Sequence, residues 1–273
     1  MRHVRVRGPR GVEHGSVQDG AVVTDGGERI EPLDAETLEL PAPWQLLAPV
    51  EPPEVWCAGV TYERSRDARV GESAARDVYE LVYDADRPEL FLKDAGSRRT
   101  VGPGAPVGIR SDAAWSVPEP EIGLLLGDRG AIAGYTIGND VSSRDIEGAN
   151  PLYLPQAKVY AGACALGPAV LVTDDPAPEF AVELQIRDAA GAELYRGETS
   201  TTRMKRGFRE LADWLVRDNP VPPGSVLLTG TGLVPPDDFT LQPGHTVSIR
   251  VPGIGTLVNT VVVATDLLER SAR

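Results

Sequence analysis

Short runs of alternating apolar and polar residues, separated by Gly, Asp and Pro turns, make up most of this chain. His3–Val6, Ala21–Thr24 and Ile30–Leu33 are β-like runs within the first fifty residues. That segment ends in the proline-rich PAPWQLLAPVEPPEVW, which reads as a linker. From Val55 the run VWCAGV predicts a strand, and a charged region follows it. Within that region, apolar residues at Ala75, Val78, Leu81 and Val82 predict a helix over Ala74–Val82. Glu89–Lys93 and Pro106–Ile109 are short strand candidates around the glycine-rich VGPGAP. Glu121–Leu126 and Ile132–Ile137, joined by the turn GDRG, predict a β-hairpin. Val170–Thr173, Ala181–Arg187, Ser225–Thr229, Thr246–Val251 and Gly255–Val263 continue the β pattern. One long helix is predicted over Thr202–Val216, with Phe208, Leu211, Ala212 and Leu215 as its apolar stripe and NPVPPG as its stop.

No βαβ unit repeats along this order, and strands outnumber helices, so the predicted class is α+β, mostly β. Residues 1–50 form a small N-terminal β subdomain, too short to hold a core alone, and residues 51–273 form the main body. The composition is that of an ordinary globular chain, with 41% hydrophobic and 25% charged residues. A formal net charge of −13 argues against nucleic acid and anionic membranes as partners. It leaves room for a small anionic substrate, because one metal ion and a few basic side chains reverse the field locally. Cys57 and Cys164 lie far apart without metal-type spacing, so two reduced thiols and a cytoplasmic location are expected. The N-terminus has no apolar secretory core, and no apolar run reaches membrane-spanning length.

The chemistry concentrates in SVPEPEIGLLLG and the YTIGNDVSSRDIEG that follows the hairpin turn. Glu119 and Glu121 fall on one face of a strand, where two carboxylates repel each other and lose hydration near a core. Asp140, near the end of the second strand, brings a third carboxylate to the same point. Three hard oxygen ligands suit Mg²⁺, Mn²⁺ or Ca²⁺ and fit zinc or copper poorly. On spacing alone, a solvated acidic edge explains the trio equally well.

Several separate motifs, in order, carry a resemblance: PEPEIGLLLG, GYTIGNDVSSRD, Lys158 in LYLPQAKVY, LLTGTG at Leu227–Gly232 and PGIGTLVNTV at Pro252–Val261. Together they resemble the fumarylacetoacetate hydrolase family from about Val55 to the C-terminus. The resemblance implies a mixed β-roll, a Mg²⁺ or Mn²⁺ site on Glu119, Glu121 and Asp140, and a homodimer. It also implies that a hydrolase would carry a histidine base where this chain reads GVTYERSRDAR, with Ser65 in the histidine's place. Of the three histidines, His3 and His14 lie in the N-terminal segment and His245 lies in a turn read as exposed. GVTYERSR and GANPLYLPQAKVYAGACALGP are instead similar to the 2-keto-3-deoxy-D-arabinonate dehydratase branch of the family.

Dehydration needs no activated water, so the missing histidine agrees with it. The expected activity is therefore divalent-metal-dependent dehydration of a small anionic 2-keto-3-deoxy sugar acid. The alternative is C–C hydrolysis or decarboxylation of a 2,4-diketo acid, with a glutamate replacing the histidine. Binding of metal and keto acid without turnover is a third reading, which the loss of one carboxylate would have favoured. Lys158 is expected to contact the 2-keto acid or assist proton transfer, and Glu89 in RPELFLKD is a candidate acid or base. Thr231, flanked by glycines, is a candidate for close substrate approach, or else plain turn chemistry. Glu147 is expected to read sugar hydroxyls, and Ser65 to bind substrate. Arg64, Arg66 and Arg144 are carboxylate-clamp candidates, unless paired with acids such as Asp67 or Asp145.

Overall fold

A computed structural model describes residues 1–31, 33–34, 36–63, 65 and 81–271. Three sheets carry the fold: one of twelve strands, one of five and a two-stranded ribbon. The large sheet runs Arg29–Ile30, Ala21–Thr24, Gly11–Gln18, Arg2–Gly8, Cys164–Leu171, Ile132–Asp140, Pro120–Leu126, Val226–Leu228, Glu54–Gly59, Glu89–Ala95. The five-stranded sheet runs Glu193–Ser200, Ala181–Arg187, Thr246–Val251, Gly255–Val263, Val107–Ile109.

The predicted hairpin forms the middle of the large sheet. Its alternation buries Ile122, Leu124, Leu126 and Ile137 against Leu184, Ile186, Val247, Ile249 and Leu257 of the smaller sheet. Each such side chain, fully buried, contributes roughly 1.5–3 kcal/mol. The opposite face is covered too, where Leu125 meets Val55, Cys57, Cys164, Leu166, Val226 and Leu228. Gly138 is part of this second layer because a methyl there would strike the Leu228 side chain. Glu119 and Glu121 project from this same face, so they enter a covered layer instead of solvent.

The N-terminal strands do not stand apart. Arg2–Gly8 pairs with Cys164–Leu171, and Val4, Val6, Val22, Ile30 and Leu38 form their own cluster with Ala169. The stretch read as a linker contributes Gln45–Leu46, which pairs with Arg2–Gly8.

Two elements differ from the sequence pattern. The strand expected to begin at Val170 begins at Cys164, since both of its faces are buried and it shows no alternation. Of the long helix, only Phe208–Leu215 is α-helical. A 3₁₀ turn at Thr201–Arg203 precedes it, and Met204 bridges to Tyr62 where the helix was expected to run. The helix predicted over Ala74–Val82 lies outside the described residues apart from Leu81 and Val82, which are helical. Among the described residues, no helix is long and apolar enough to cross a membrane.

Candidate metal centre and active site

Register in the hairpin builds the carboxylate trio. Glu121 stands opposite Gly138 and Pro120 opposite Asn139, which sets Glu119 across from Asp140, whose N–H donates to the Glu119 carbonyl at 3.0 Å. Ligand atoms of Glu119, Glu121 and Asp140 lie within 4.8 Å of one another, and all three residues are buried. A solvated acidic edge is therefore excluded.

Buried cations surround the trio. Lys158, at the end of the short helix Leu154–Lys158, donates to Glu119 Oε2 at 2.8 Å, Asp140 Oδ2 at 2.9 Å and Ser142 Oγ at 2.5 Å. Arg144 opens the helix Arg144–Ala149 and pairs with Glu119 Oε1 at 3.0 Å, while Lys93 pairs with Asp140 Oδ1. Among the described residues no cation pairs with Glu121 at comparable distance. Its Oε2 accepts the Gly230 N–H at 2.6 Å. Burial, and then repulsion from Asp140 and Glu119, pushes the Glu121 carboxyl well above the usual carboxylate range. Three close buried carboxylates, one of them accepting from a backbone amide, are a donor set that a divalent cation fits.

A small pocket opens beside the trio, and the expected site residues meet there. Ser65, Glu89, Glu147, Lys158 and Thr231 line it with the three carboxylates, together with Phe91 and the Ala58–Val60 backbone. Glu89 lies over Gly59, where any side chain would collide with its carboxylate. Ser65 Oγ donates to the Tyr62 carbonyl at 2.8 Å, and Thr231 Oγ1 donates to the Leu233 carbonyl at 3.2 Å, so both hydroxyls are tied into local turns. Val60 holds φ at +51°, a left-handed backbone that a β-branched residue rarely adopts, in the wall of this pocket. A larger open groove elsewhere, lined by Tyr135, Asp175, Met204 and Phe208, holds none of the candidate residues.

Arg144 pairs with Glu119, and Asp145 accepts the Ala114 N–H at 2.7 Å. Arg64, Arg66 and Asp67 lie outside the described residues. None of the three histidines lines the pocket. His3 and His14 are exposed, whereas His245 is half-buried and stacked on Phe239 at 6.3 Å between ring centroids, a structural role. Cys57 and Cys164 are both free and buried, and burial pushes the Cys164 thiol up to about 12.

Sequence reasoning missed Lys93 and Phe91. The signal was present in RPELFLKD, where Glu89, Phe91 and Lys93 alternate along one strand and all approach the site. The Phe91 ring lies 5.6 Å from Lys158 Nζ, and the Lys93 ammonium touches Asp140.

The model of the fumarylacetoacetate (FAA) hydrolase C-terminal region matches residues 54–262, a span that contains the carboxylate trio and every residue lining its pocket. The chain belongs to the fumarylacetoacetate hydrolase family. Within that family it is similar to a Haloferax volcanii protein named "Probable 2-keto-3-deoxyxylonate dehydratase", at 51% identity over 214 residues. That match covers 78% of this chain and 73% of the relative. The 2-dehydro-3-deoxy-D-arabinonate dehydratase of Saccharolobus solfataricus is 42% identical over 222 residues, covering 80% of this chain and 74% of that protein. A solved structure of 2-keto-3-deoxy-D-arabinonate dehydratase complexed with magnesium and 2,5-dioxopentanoate superposes with a TM-score of 0.83 at 34% identity. The superposition covers 96% of this chain and 98% of that one. The mostly-β fold expected from the alternation pattern is thus the fold of these family members.

Proposed function

We propose that this chain is a divalent-metal-dependent dehydratase of a 2-keto-3-deoxy sugar acid, with a 2-keto-3-deoxypentonate as the specific substrate. One observation carries the reading. A buried all-oxygen trio shares its pocket with Lys158 and Glu89 and with no histidine. The two dehydratase relatives support it, and so does the ligand of the solved one. As a formula, 2,5-dioxopentanoate is a 2-keto-3-deoxypentonate less one water.

When bound, Mg²⁺ supplies a chelation point for the 2-keto acid and positive charge where the enolate develops. Glu89 takes the C3 proton, and its place over Gly59 keeps its carboxylate in the pocket. Lys158 contacts the 2-keto acid, and its ammonium offsets charge on the Glu119 and Asp140 side. Glu89 then returns that proton to the C4 hydroxyl, which departs as water as the C3–C4 double bond forms, and no nucleophile is needed. Ser65, Thr231 and Glu147 contact the substrate, with Glu147 facing its hydroxyls, and Arg64 joins them on sequence alone. Residues 51–273 form the catalytic unit and 1–50 a supporting β subdomain. The enzyme is cytoplasmic and homodimeric in this reading, and a monomer mass by light scattering at micromolar concentration contradicts the second point.

A panel of keto acids with Mg²⁺, read by mass spectrometry, tests the reaction. Loss of water from a 2-keto-3-deoxypentonate, with solvent deuterium entering at C3, is the expected result. The second reading is C–C hydrolysis of an acylpyruvate-like 2,4-diketo acid, favoured by the Glu89 carboxylate standing in the pocket as a substitute base. Rapid acylpyruvate cleavage, with no water lost from any 2-keto-3-deoxy acid, would falsify the dehydratase reading and select that one.

A further inference from the structure

Lys93 is the group near the site whose presence is hardest to explain by folding alone. It is fully buried, and moving an ammonium out of water costs several kcal/mol unless it is well paired. Alternation with Glu89 and Phe91 puts it there, and a β-bulge begins at the same position. Trp56 pairs with Leu92 and Val55 with Asp94, which leaves Lys93 as the extra residue on the edge strand. Consecutive residues of a regular strand face opposite sides, yet Lys93 and Asp94 are both buried. Asp94 turns to the following loop, accepting the Arg99 N–H at 2.9 Å and the Thr100 hydroxyl at 2.7 Å. Lys93 turns to the carboxylate trio.

Its partners there are specific. The ammonium pairs with Asp140 Oδ1 and donates to the Val141 carbonyl at 3.0 Å. Tyr160 closes the far side, with its ring centroid 5.9 Å away and its hydroxyl on the same Val141 carbonyl at 3.2 Å. Among the described residues no hydrogen-bond donor reaches Asp140 Oδ1, so the ion pair with Lys93 alone holds that oxygen. Asp140 Oδ2 lies on the other side, sharing the Lys158 ammonium with Glu119 Oε2, and so faces the trio. Lys93 is not among the residues that line the pocket.

We propose that Lys93 is a positioning residue that reserves Asp140 Oδ1 and so presents Asp140 to a metal through one oxygen only. The consequence is selectivity among hard cations. Ca²⁺ gains from carboxylates that can bind through both oxygens and from a coordination number above six, whereas Mg²⁺ demands a compact octahedron and is content with one oxygen per carboxylate. Holding Asp140 to one oxygen biases the site toward Mg²⁺ and Mn²⁺ and against Ca²⁺. The proposal rests on the reading of Glu119, Glu121 and Asp140 as a metal site.

The test is calorimetric titration of the metal-stripped full chain with MgCl₂ and with CaCl₂, for the wild type, Lys93→Met and Lys93→Gln. In Lys93→Met the ratio of Ca²⁺ affinity to Mg²⁺ affinity should rise by on the order of tenfold. Lys93→Gln should rise less, because its amide still donates to Oδ1. A loss of charge that merely loosened the fold would weaken both cations together and leave the ratio unmoved. A ratio within about twofold of wild type in the folded variants overturns the role of Lys93 while leaving the metal site intact. Where Lys93→Met does not fold, the Lys93→Gln ratio decides on the same terms. A wild-type protein that binds neither cation overturns the metal site itself, and the Lys93 proposal with it.

Discussion

The Gly230 N–H donates to Glu121 Oε2 at 2.6 Å, joining the Gly-Thr-Gly turn to the carboxylate trio. Gly230 holds φ at +88°, and an added methyl would collide with Thr61 Oγ1 and lie 2.9 Å from the Ala58 carbonyl. Gly230→Ala is expected to cost at least about 1–3 kcal/mol of stability and to weaken Mg²⁺ binding, since the amide would leave Glu121. Melting and Mg²⁺ titration of the variant check this. Unchanged values in both contradict the placement of the turn.

Metal dependence should track pH in a defined direction. The Glu121 carboxyl is raised in the folded chain by burial foremost, then by Asp140 and Glu119. A group raised above its unfolded value, ordinarily near 4.5, lends full stability below that value and loses it as pH rises through the folded one. The metal-stripped protein should therefore lose melting temperature as pH climbs from the ordinary carboxylate range. A divalent cation binds the ionised form, so the rise in melting temperature on adding Mg²⁺ should grow over the same window. Calorimetric scans in EDTA and in Mg²⁺ across that range measure both trends, and a metal effect that shrinks with rising pH contradicts the assignment. EDTA should abolish turnover, and Mg²⁺ or Mn²⁺ should restore it.

Lys158→Ala should lower turnover by ~10²-fold or more while metal still binds, because Lys93 and Arg144 remain on Asp140 and Glu119. Ser65→Ala should change turnover only a few-fold, about the loss of one neutral hydrogen bond, since its hydroxyl is engaged with Tyr62 and no histidine is beside it to activate it. Steady-state rates and Mn²⁺ titrations of both variants decide. Equal damage from the two substitutions contradicts this division of roles.

Cys57 and Cys164 should resist alkylation in the native protein. Both are fully buried, burial raises both thiols, and Cys164 is pushed up to about 12. Iodoacetamide at pH near 8 should add no mass to folded protein and two adducts in denaturant, read by intact mass. Rapid labelling of native protein would show that the layer behind the hairpin opens readily.

Local pattern alone determined the hairpin. Glu121–Leu126 and Ile132–Ile137 alternate cleanly about GDRG, but a one-residue register shift between Leu125 and Leu126 is what sets Glu119 across from Asp140 instead of Asn139. Thr231, Glu147, Ser65 and Lys158 were legible through the family's motifs and Glu89 through its place in a short apolar strand, and all five line one pocket.

The tertiary structure decided what the side chains contact across the sheets. Arg144 has Asp145 as its neighbour in sequence, but its place at the start of a buried helix directs it to Glu119. Cys164–Leu171 hides its alternation because the sheet buries both of its faces. The amphipathic stripe of Thr202–Val216 is real only from Phe208, since pairing with Tyr62 claims Met204 first. Lys93 keeps the face that alternation with Glu89 and Phe91 assigns it, but that it meets Asp140 there is set by the packing of a strand distant in sequence. Alternation records which face of its own element a residue occupies. It carries no record of which distant strand will lie against that face, and the charges that complete this site come from such strands and helices.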